Sequence, residues 1–272
     1  EKNGAKLKVI PLKDNGELNY ESFLKKLSKR TKVVFVNHVS NALGTINPIK
    51  KIISESHKHG AAVLIDGAQA SSHLKADLQD LNVDFYTTSA HKLCGPTGIG
   101  MLYGKKEWLE KLPPYQGGGE MISEVTFEKT TYAELPNKFE AGTPNIVGAI
   151  GFGNALDYLN EVGFEKIESY ETELLDYATA RLKSIPNLKI YGEAKNKTSV
   201  ISFNIGELHS YDLGTILDKY GIAVRTGQHC AQPVMDFFGI SGTVRASFSF
   251  YNTKEEIDYF YESLKKAVAM LS

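Results

Sequence analysis

Five short apolar runs in the first 105 residues, Leu7–Leu12, Lys32–Asn37, Ala61–Asp66, Val83–Thr88 and Ile99–Tyr103, constrain the fold more than any other feature of the chain. They are dense in Val, Ile, Leu, Phe and Tyr and lack polar alternation, the pattern of strands buried on both faces of a mainly parallel sheet. Between them, Tyr20–Arg30 and Ile49–His59 carry helical spacing, the second opened by Asn47-Pro48 and closed by Gly60. This alternation of strand and helix predicts an α/β layered architecture.

Residues 104–145 break the rhythm. Pro113-Pro114, Gly117-Gly118-Gly119 and Gly142-Thr143-Pro144 punctuate a long irregular stretch, and a loop of that length in a compact domain is a functional or interface element. From Ile146 to about Ser184 the spacing is helical again, with a break at Gly163. Beyond Pro186, strand-like runs (Lys189–Tyr191, Ser199–Asn204, Ala223–Arg225, Val244–Phe248) mix with helices over Tyr211–Tyr220 and Lys254–Leu271. The expected division is part of a large α/β domain over 1–155, then a connecting helix and a smaller α+β domain over 156–272, hinged around 155–185.

Composition narrows the partners. Hydrophobic residues at 42% and charged residues at 23% give an ordinary soluble balance. A net charge of -1 supplies no global field for nucleic acid or an anionic membrane, so a small molecule or a protein is expected. Two cysteines, Cys94 and Cys230, make no disulfide framework and fit a reducing cytoplasm. No run approaches a membrane span, and Glu1 to Lys8 contain no signal-like apolar stretch.

The residues with chemistry in them cluster just after predicted strands, where ligands of open α/β sheets collect. Asp66-Gly67-Ala68-Gln69 closes the run Ala61–Asp66. A carboxylate there can bind a ribose, a metal or a protonated pyridine nitrogen, or simply cap the following turn. Ser89-Ala90-His91-Lys92 precedes a Gly/Pro turn. A lysine so placed suits an imine with a cofactor aldehyde, with Ser89 and His91 as phosphate contacts, against the common alternative of a solvated surface lysine. Asn41, in another polar turn, can face a ring or a substrate carboxylate, while neighbouring His38 reads as a packed, hydrogen-bonded histidine. Cys230 lies on a Gly-containing loop between Arg225-Thr226-Gly227-Gln228-His229 and Ala231-Gln232, an electropositive setting that favours thiolate. Cys94, among apolar turn residues, is the rival thiol and reads as structural. Arg245 sits in an apolar strand and needs a partner there, either a bidentate substrate carboxylate or an internal ion pair.

Taken in order, V-S-N-A-L-G-T, D-G-A-Q, T-S-A-H-K, G-P-T-G-I-G, G-G-G-E-M-I, A-G-T-P-N, R-T-G-Q-H-C-A and V-R-A-S-F resemble the class V aminotransferase group of fold-type I pyridoxal-phosphate (PLP) enzymes. Within that group the chain is most similar to the SufS-like cysteine desulfurases, over nearly its whole length. The resemblance implies that Lys92 holds PLP as an imine, Asp66 pairs with the pyridine nitrogen, Gln69 contacts the ring oxygen, and Ser89 and His91 hold the phosphate. It implies that Thr143 reaches the phosphate of a neighbouring subunit in a homodimer, and that Asn41 and Arg245 bind the carboxylate of L-cysteine. Lys92 and Cys230 are then the catalytic pair: Lys92 moves the α-proton, and Cys230 takes the sulfur as a persulfide for a SufE- or SufU-like acceptor in iron–sulfur cluster assembly.

Two departures accompany the resemblance. Gln228 stands where that branch often has a second His, and it receives no role. The family's longer N-terminal portion, with a phosphate-binding turn and a ring-stacking His, has no counterpart here, so a fragment with exposed sheet edges is expected. Selenocysteine lyase is the nearest alternative chemistry. A thiol hydrolase pair of Cys230 with His229 or His209 leaves Lys92, Asp66 and Gln69 without a purpose. An inactive, partner-binding fragment is the non-enzymatic alternative. Paired metal-ligand spacing and the glycine spacings of P-loop or dinucleotide sites are absent from the sequence.

Overall fold

The computed structural model describes residues 4–271. Its elements run α1 (Tyr20–Lys26), β1 (Val33–Asn37), α2 (Ile49–Lys58), β2 (Ala62–Asp66), α3 (Leu78–Leu81), β3 (Phe85–Ser89), β4 (Gly100–Gly104) and α4 (Lys106–Lys111). There follow β5 (Ile122–Val125), β6 (Thr130–Tyr132), α5 (Ile146–Val162), α6 (Phe164–Lys183), β7 (Leu188–Tyr191) and β8 (Val200–Ile205). The chain ends with α7 (Ser210–Lys219), β9 (Arg225–Gly227), α8 (Gln232–Phe238), β10 (Thr243–Ser247) and α9 (Lys254–Leu271).

The first sheet has the order β1-β2-β3-β4. Its first three strands are parallel and β4 returns antiparallel to β3. Parallel neighbours need a crossover, and α2 supplies one, burying Ile49 and Ile53 against Val63, Ile65 and Tyr86. The second sheet, β7-β8-β10-β9, is antiparallel throughout. Its core comes from α6, α7 and α9, with Leu174, Phe203, Leu213, Val244, Phe260 and Leu264 packed together. The spacing of apolar residues on these helices is what makes one flank of each bury. Side-chain oxygens cap the helix starts, as Asn19 does for Ser22 N–H and Asn145 for Gly148 N–H. Between the sheets, Ala90 and Leu93 pack on Phe152, Leu159 and Ile167 of α5 and α6. The chain turns between those helices at Gly163, whose φ of 89° lies where glycine is favoured.

Several expectations change. Leu7–Leu12 is no strand: only Leu12 pairs, in an isolated bridge with Leu18, and Leu7 and Val9 are exposed. The helix expected to reach Arg30 ends at Lys26, because the backbone of Leu27 is already extended. The irregular stretch contains α4 and a β5–β6 hairpin. The outer strands of the first sheet are not buried on both faces: Val33 and Phe35 of β1 and Met101 and Leu102 of β4 are exposed. Apolar composition alone does not distinguish a covered face from an uncovered one. Among the described residues, no helix is long and apolar enough to cross a membrane.

Candidate active site

Register sets the first half of the site. Asn37, Asp66 and Thr87 stand side by side across β1, β2 and β3, so the three polar turns that follow leave the sheet at one end. Asp66 is exposed at its strand tip and accepts the Ala68 N–H at 3.0 Å. Gly67 is required beside it, because a Cβ there would lie 2.0 Å from the Tyr86 ring. Tyr86 in turn meets His38 Nδ1 through its hydroxyl at 3.1 Å, which makes His38 the packed histidine expected. Ser89 closes β3, and its hydroxyl lies 2.8 Å from His91 Nδ1. Ala90–Lys92 form one 3-10 turn, after which the Leu93 and Gly95 N–H groups both return to the Ala90 carbonyl. That turn carries Lys92, half-buried, beyond the strand end.

The second half comes from the other sheet and is tied to the first through Asn41. The Asn41 side chain donates to the His229 carbonyl at 2.6 Å, and its own carbonyl accepts from Arg245 Nη1 at 2.8 Å. One residue thus holds both the strand that carries Arg245 and the residue preceding Cys230. His229 and Cys230 have φ of 54° and 55°, a left-handed pair that turns the exposed Cys230 out while His229 is buried. His229 Nε2 lies 2.8 Å from the Thr243 hydroxyl.

Charge here differs from the expectation in one respect. Burial, then the guanidiniums of Arg245 and Arg225, push His229 down to about 4, so at neutral pH the loop's positive charge comes from the arginines. Arg245 itself is pushed down by burial and by Arg225, its partner across β10 and β9. Its Nε is buried without a hydrogen-bond partner. No acidic side chain pairs with it among the described residues, so the internal ion pair is not formed. Cys94 is exposed, with its thiol pushed up by partial burial.

Thr143 is exposed on the turn before α5, and no hydrogen bond joins it to Ser89, His91 or Lys92 among the described residues. Gln69 is half-buried, with its amide nitrogen 3.4 Å from His73 Nε2. Sequence reasoning passed over His73, and its partner Glu171 lies 98 residues away. The one local signal was its four-residue spacing from Gln69. No group of three or more His, Cys, Asp or Glu is arranged to hold a metal ion among the described residues.

The two depressed histidines make stability pH-dependent. Burial also lowers His38 to about 4 from its ordinary 6.5. Unfolding restores the higher affinity, so the unfolded chain binds more protons between these values and stability rises with pH. Stability is therefore complete above about pH 6.5 and is lost as pH falls toward 4. We expect the thermal midpoint to drop between pH 7 and pH 5, and His38→Asn to flatten that dependence. An unchanged slope in the variant would contradict the assignment.

Comparison with known proteins places this arrangement among relatives. The family model described as aminotransferase class-V matches residues 1–260. A probable cysteine desulfurase of Halalkalibacterium halodurans is 49% identical over 263 residues, covering 97% of this chain and 64% of that protein. A cysteine desulfurase of Shigella sonnei is 48% identical over 269 residues, covering 98% and 66%. The chain thus spans just under two thirds of the length of these relatives. The crystal structure of the Escherichia coli cysteine desulfurase CsdA, in an S-sulfonic acid form, superposes with a TM-score of 0.95 at 38% identity, covering 99% of this chain and 67% of that one. The apo structure of a cysteine desulfurase from Thermococcus onnurineus gives 0.93 at 39% identity, with 98% and 67% covered.

Proposed function

The chain belongs to the aminotransferase class-V family, and from that premise we propose that the protein is a PLP-dependent cysteine desulfurase. The observation that carries the reading is the double tether of Asn41, which joins a carboxylate-free arginine and the loop of the exposed Cys230 to the end of the sheet where Asp66 closes its strand and the turn after β3 carries Lys92.

The residues fit the cofactor. Asp66 offers an exposed carboxylate for the pyridine nitrogen, Lys92 an amine for the aldehyde, and Gln69 an amide for the ring oxygen. Ser89 and His91, whose hydroxyl and Nδ1 lie 2.8 Å apart, would donate to the phosphate, and Thr143 would serve the phosphate of a second copy in a homodimer. When bound, PLP supplies an electron sink for negative charge at the substrate α-carbon, strengthened by the Asp66 carboxylate. The orphaned Nε and the guanidinium plane of Arg245 fit a substrate carboxylate, with Asn41 beside them.

Lys92, once released, takes the α-proton of L-cysteine as a general base. The Cys230 thiolate attacks the substrate sulfur: an S–S bond forms, the C–S bond breaks, and its electron pair ends in the new C–H bond of alanine. The products are L-alanine and a Cys230 persulfide, so the atoms balance without an added oxidant. The persulfide sulfur then passes to a SufE- or SufU-like acceptor for iron–sulfur cluster assembly, as in a SufS-like enzyme of the cytoplasm. A division into 1–155 and 156–272 is supported by the two main sheets falling on opposite sides of it.

The test is the near-visible spectrum of the PLP-treated protein before and after L-cysteine, with alanine quantified. A band that changes on addition, accompanied by alanine, is expected; no band, or a band without alanine, overturns the reading. Arg245→Lys keeps the charge but loses the planar fork, and we expect KM for L-cysteine to rise roughly tenfold to a hundredfold with kcat changed less. An unchanged KM would remove Arg245 from the substrate contact.

A further inference from the structure

Behind the strand tips lies a buried pair that the chemistry above does not use. His73, on the turn that follows Gln69, is 7% exposed, and Glu171 of α6 is 3% exposed. They meet at 2.6 Å, His73 Nδ1 to Glu171 Oε2. The carboxylate is held from other sides by the Ser249 hydroxyl at 3.0 Å, the Phe250 N–H at 3.1 Å and the Ser199 hydroxyl at 3.3 Å. Ser199 immediately precedes β8, and Ser249 and Phe250 follow β10, so all three adjoin the second sheet, while His73 belongs to the loop at the first. Glu168 and Lys197 share the small cavity beside the pair, with the Lys197 ammonium donating to the Gly192 carbonyl.

A carboxylate oxygen only accepts, so Nδ1 of His73 must carry the hydrogen between them. In the neutral ring this leaves Nε2 as a bare acceptor, its role set by the bond at the other nitrogen. Nε2 faces the Gln69 amide nitrogen at 3.4 Å, a long but directed contact. An acceptor there admits only the NH2 side of the carboxamide. One amide hydrogen is committed to His73, and the second remains to be donated elsewhere.

We propose that Glu171 and His73 are positioning residues that lock the Gln69 carboxamide so that its second N–H is presented to the ring oxygen of the cofactor. The proposal rests on the PLP reading above and adds to it a link from the second sheet to the cofactor ring. A donor at that oxygen draws electron density away from it, and the adjoining imine nitrogen then releases its proton more readily. Freeing Gln69 therefore raises the pH at which the imine deprotonates.

The experiment is a pH titration of the near-visible band of the PLP-loaded protein. His73→Leu keeps bulk but removes the acceptor, and its midpoint should rise by about one pH unit. Glu171→Gln should move it less, in the same direction. In a Gln69→Leu background, His73→Leu should produce no further shift. A purely structural pair would lower the thermal midpoint of unfolding and leave the titration where it was. If His73→Leu alone misfolds around the stranded carboxylate, the paired His73→Leu/Glu171→Gln protein replaces it. Unmoved titrations in the folded variants, or an equal shift in the Gln69→Leu background, overturn the proposal while the cofactor reading stands. A wild-type protein without the band overturns the cofactor reading and the proposal together.

Discussion

Lys92→Ala is expected to lose the covalent cofactor link and to slow alanine formation from L-cysteine by at least about a thousandfold. Two functions end with one amine: the imine to the cofactor and the base that takes the α-proton. The remaining contacts at Asp66, Ser89 and His91 do not depend on that amine, so PLP should still bind, but reversibly. Borohydride reduction followed by intact mass measurement distinguishes the cases. The wild-type chain should gain the mass of a reduced adduct and the variant should not. A normal reducible adduct in the variant would exclude Lys92 as the anchor, since no other lysine lies on these turns in the same relation to Asp66 and Ser89.

Cys230→Ala should show the opposite pattern, with the yellow band and its response to L-cysteine retained and sulfur transfer reduced at least about a thousandfold. Alanine is the informative substitute at this position. Cys230 adopts a φ of 55°, and both residues carry a Cβ, so the exchange removes the sulfur without changing the steric demand on the left-handed backbone. Glycine would change both. Cys94→Ala is the control: its thiol is pushed toward the protonated form by partial burial, and sulfur transfer should continue in that variant. Persistent cysteine-dependent persulfide formation in Cys230→Ala would instead make Cys94 the nucleophile.

What could be read from the residues followed local physics. The helix Lys254–Leu271 has the bounds that its spacing predicts, Asp66 ends its strand as expected, and the strand expected to stop at Thr88 runs one residue further, to Ser89. Each lies where a run of apolar, branched residues meets polar turn chemistry. Leu7–Leu12 looked the same but has no neighbouring strand among the described residues, and a strand exists only through its partner's hydrogen bonds. The β5–β6 hairpin was invisible for the converse reason: its residues are mostly exposed, so no buried face imprinted an alternation. Helix α8 was overlooked because it is short and begins Gln232-Pro233, which resembles a continuing loop although proline suits a first turn. Candidate site residues on single turns were legible as groups. The Asn41 bridge, spanning 188 residues to His229, and the Glu171–His73 pair depend on how the two sheets meet, which no local window encodes.

The Tyr86 ring, which fills the space that a side chain at position 67 would need, has a corollary for substitution. Position 67 cannot accept even alanine while residue 86 keeps its ring, and Tyr86 cannot shrink without leaving His38 facing a void where a hydroxyl had been. A side chain at position 67 therefore requires a smaller residue at 86, whereas the ring at 86 is tolerated only beside a glycine, and the turn that aims Asp66 depends on that pairing.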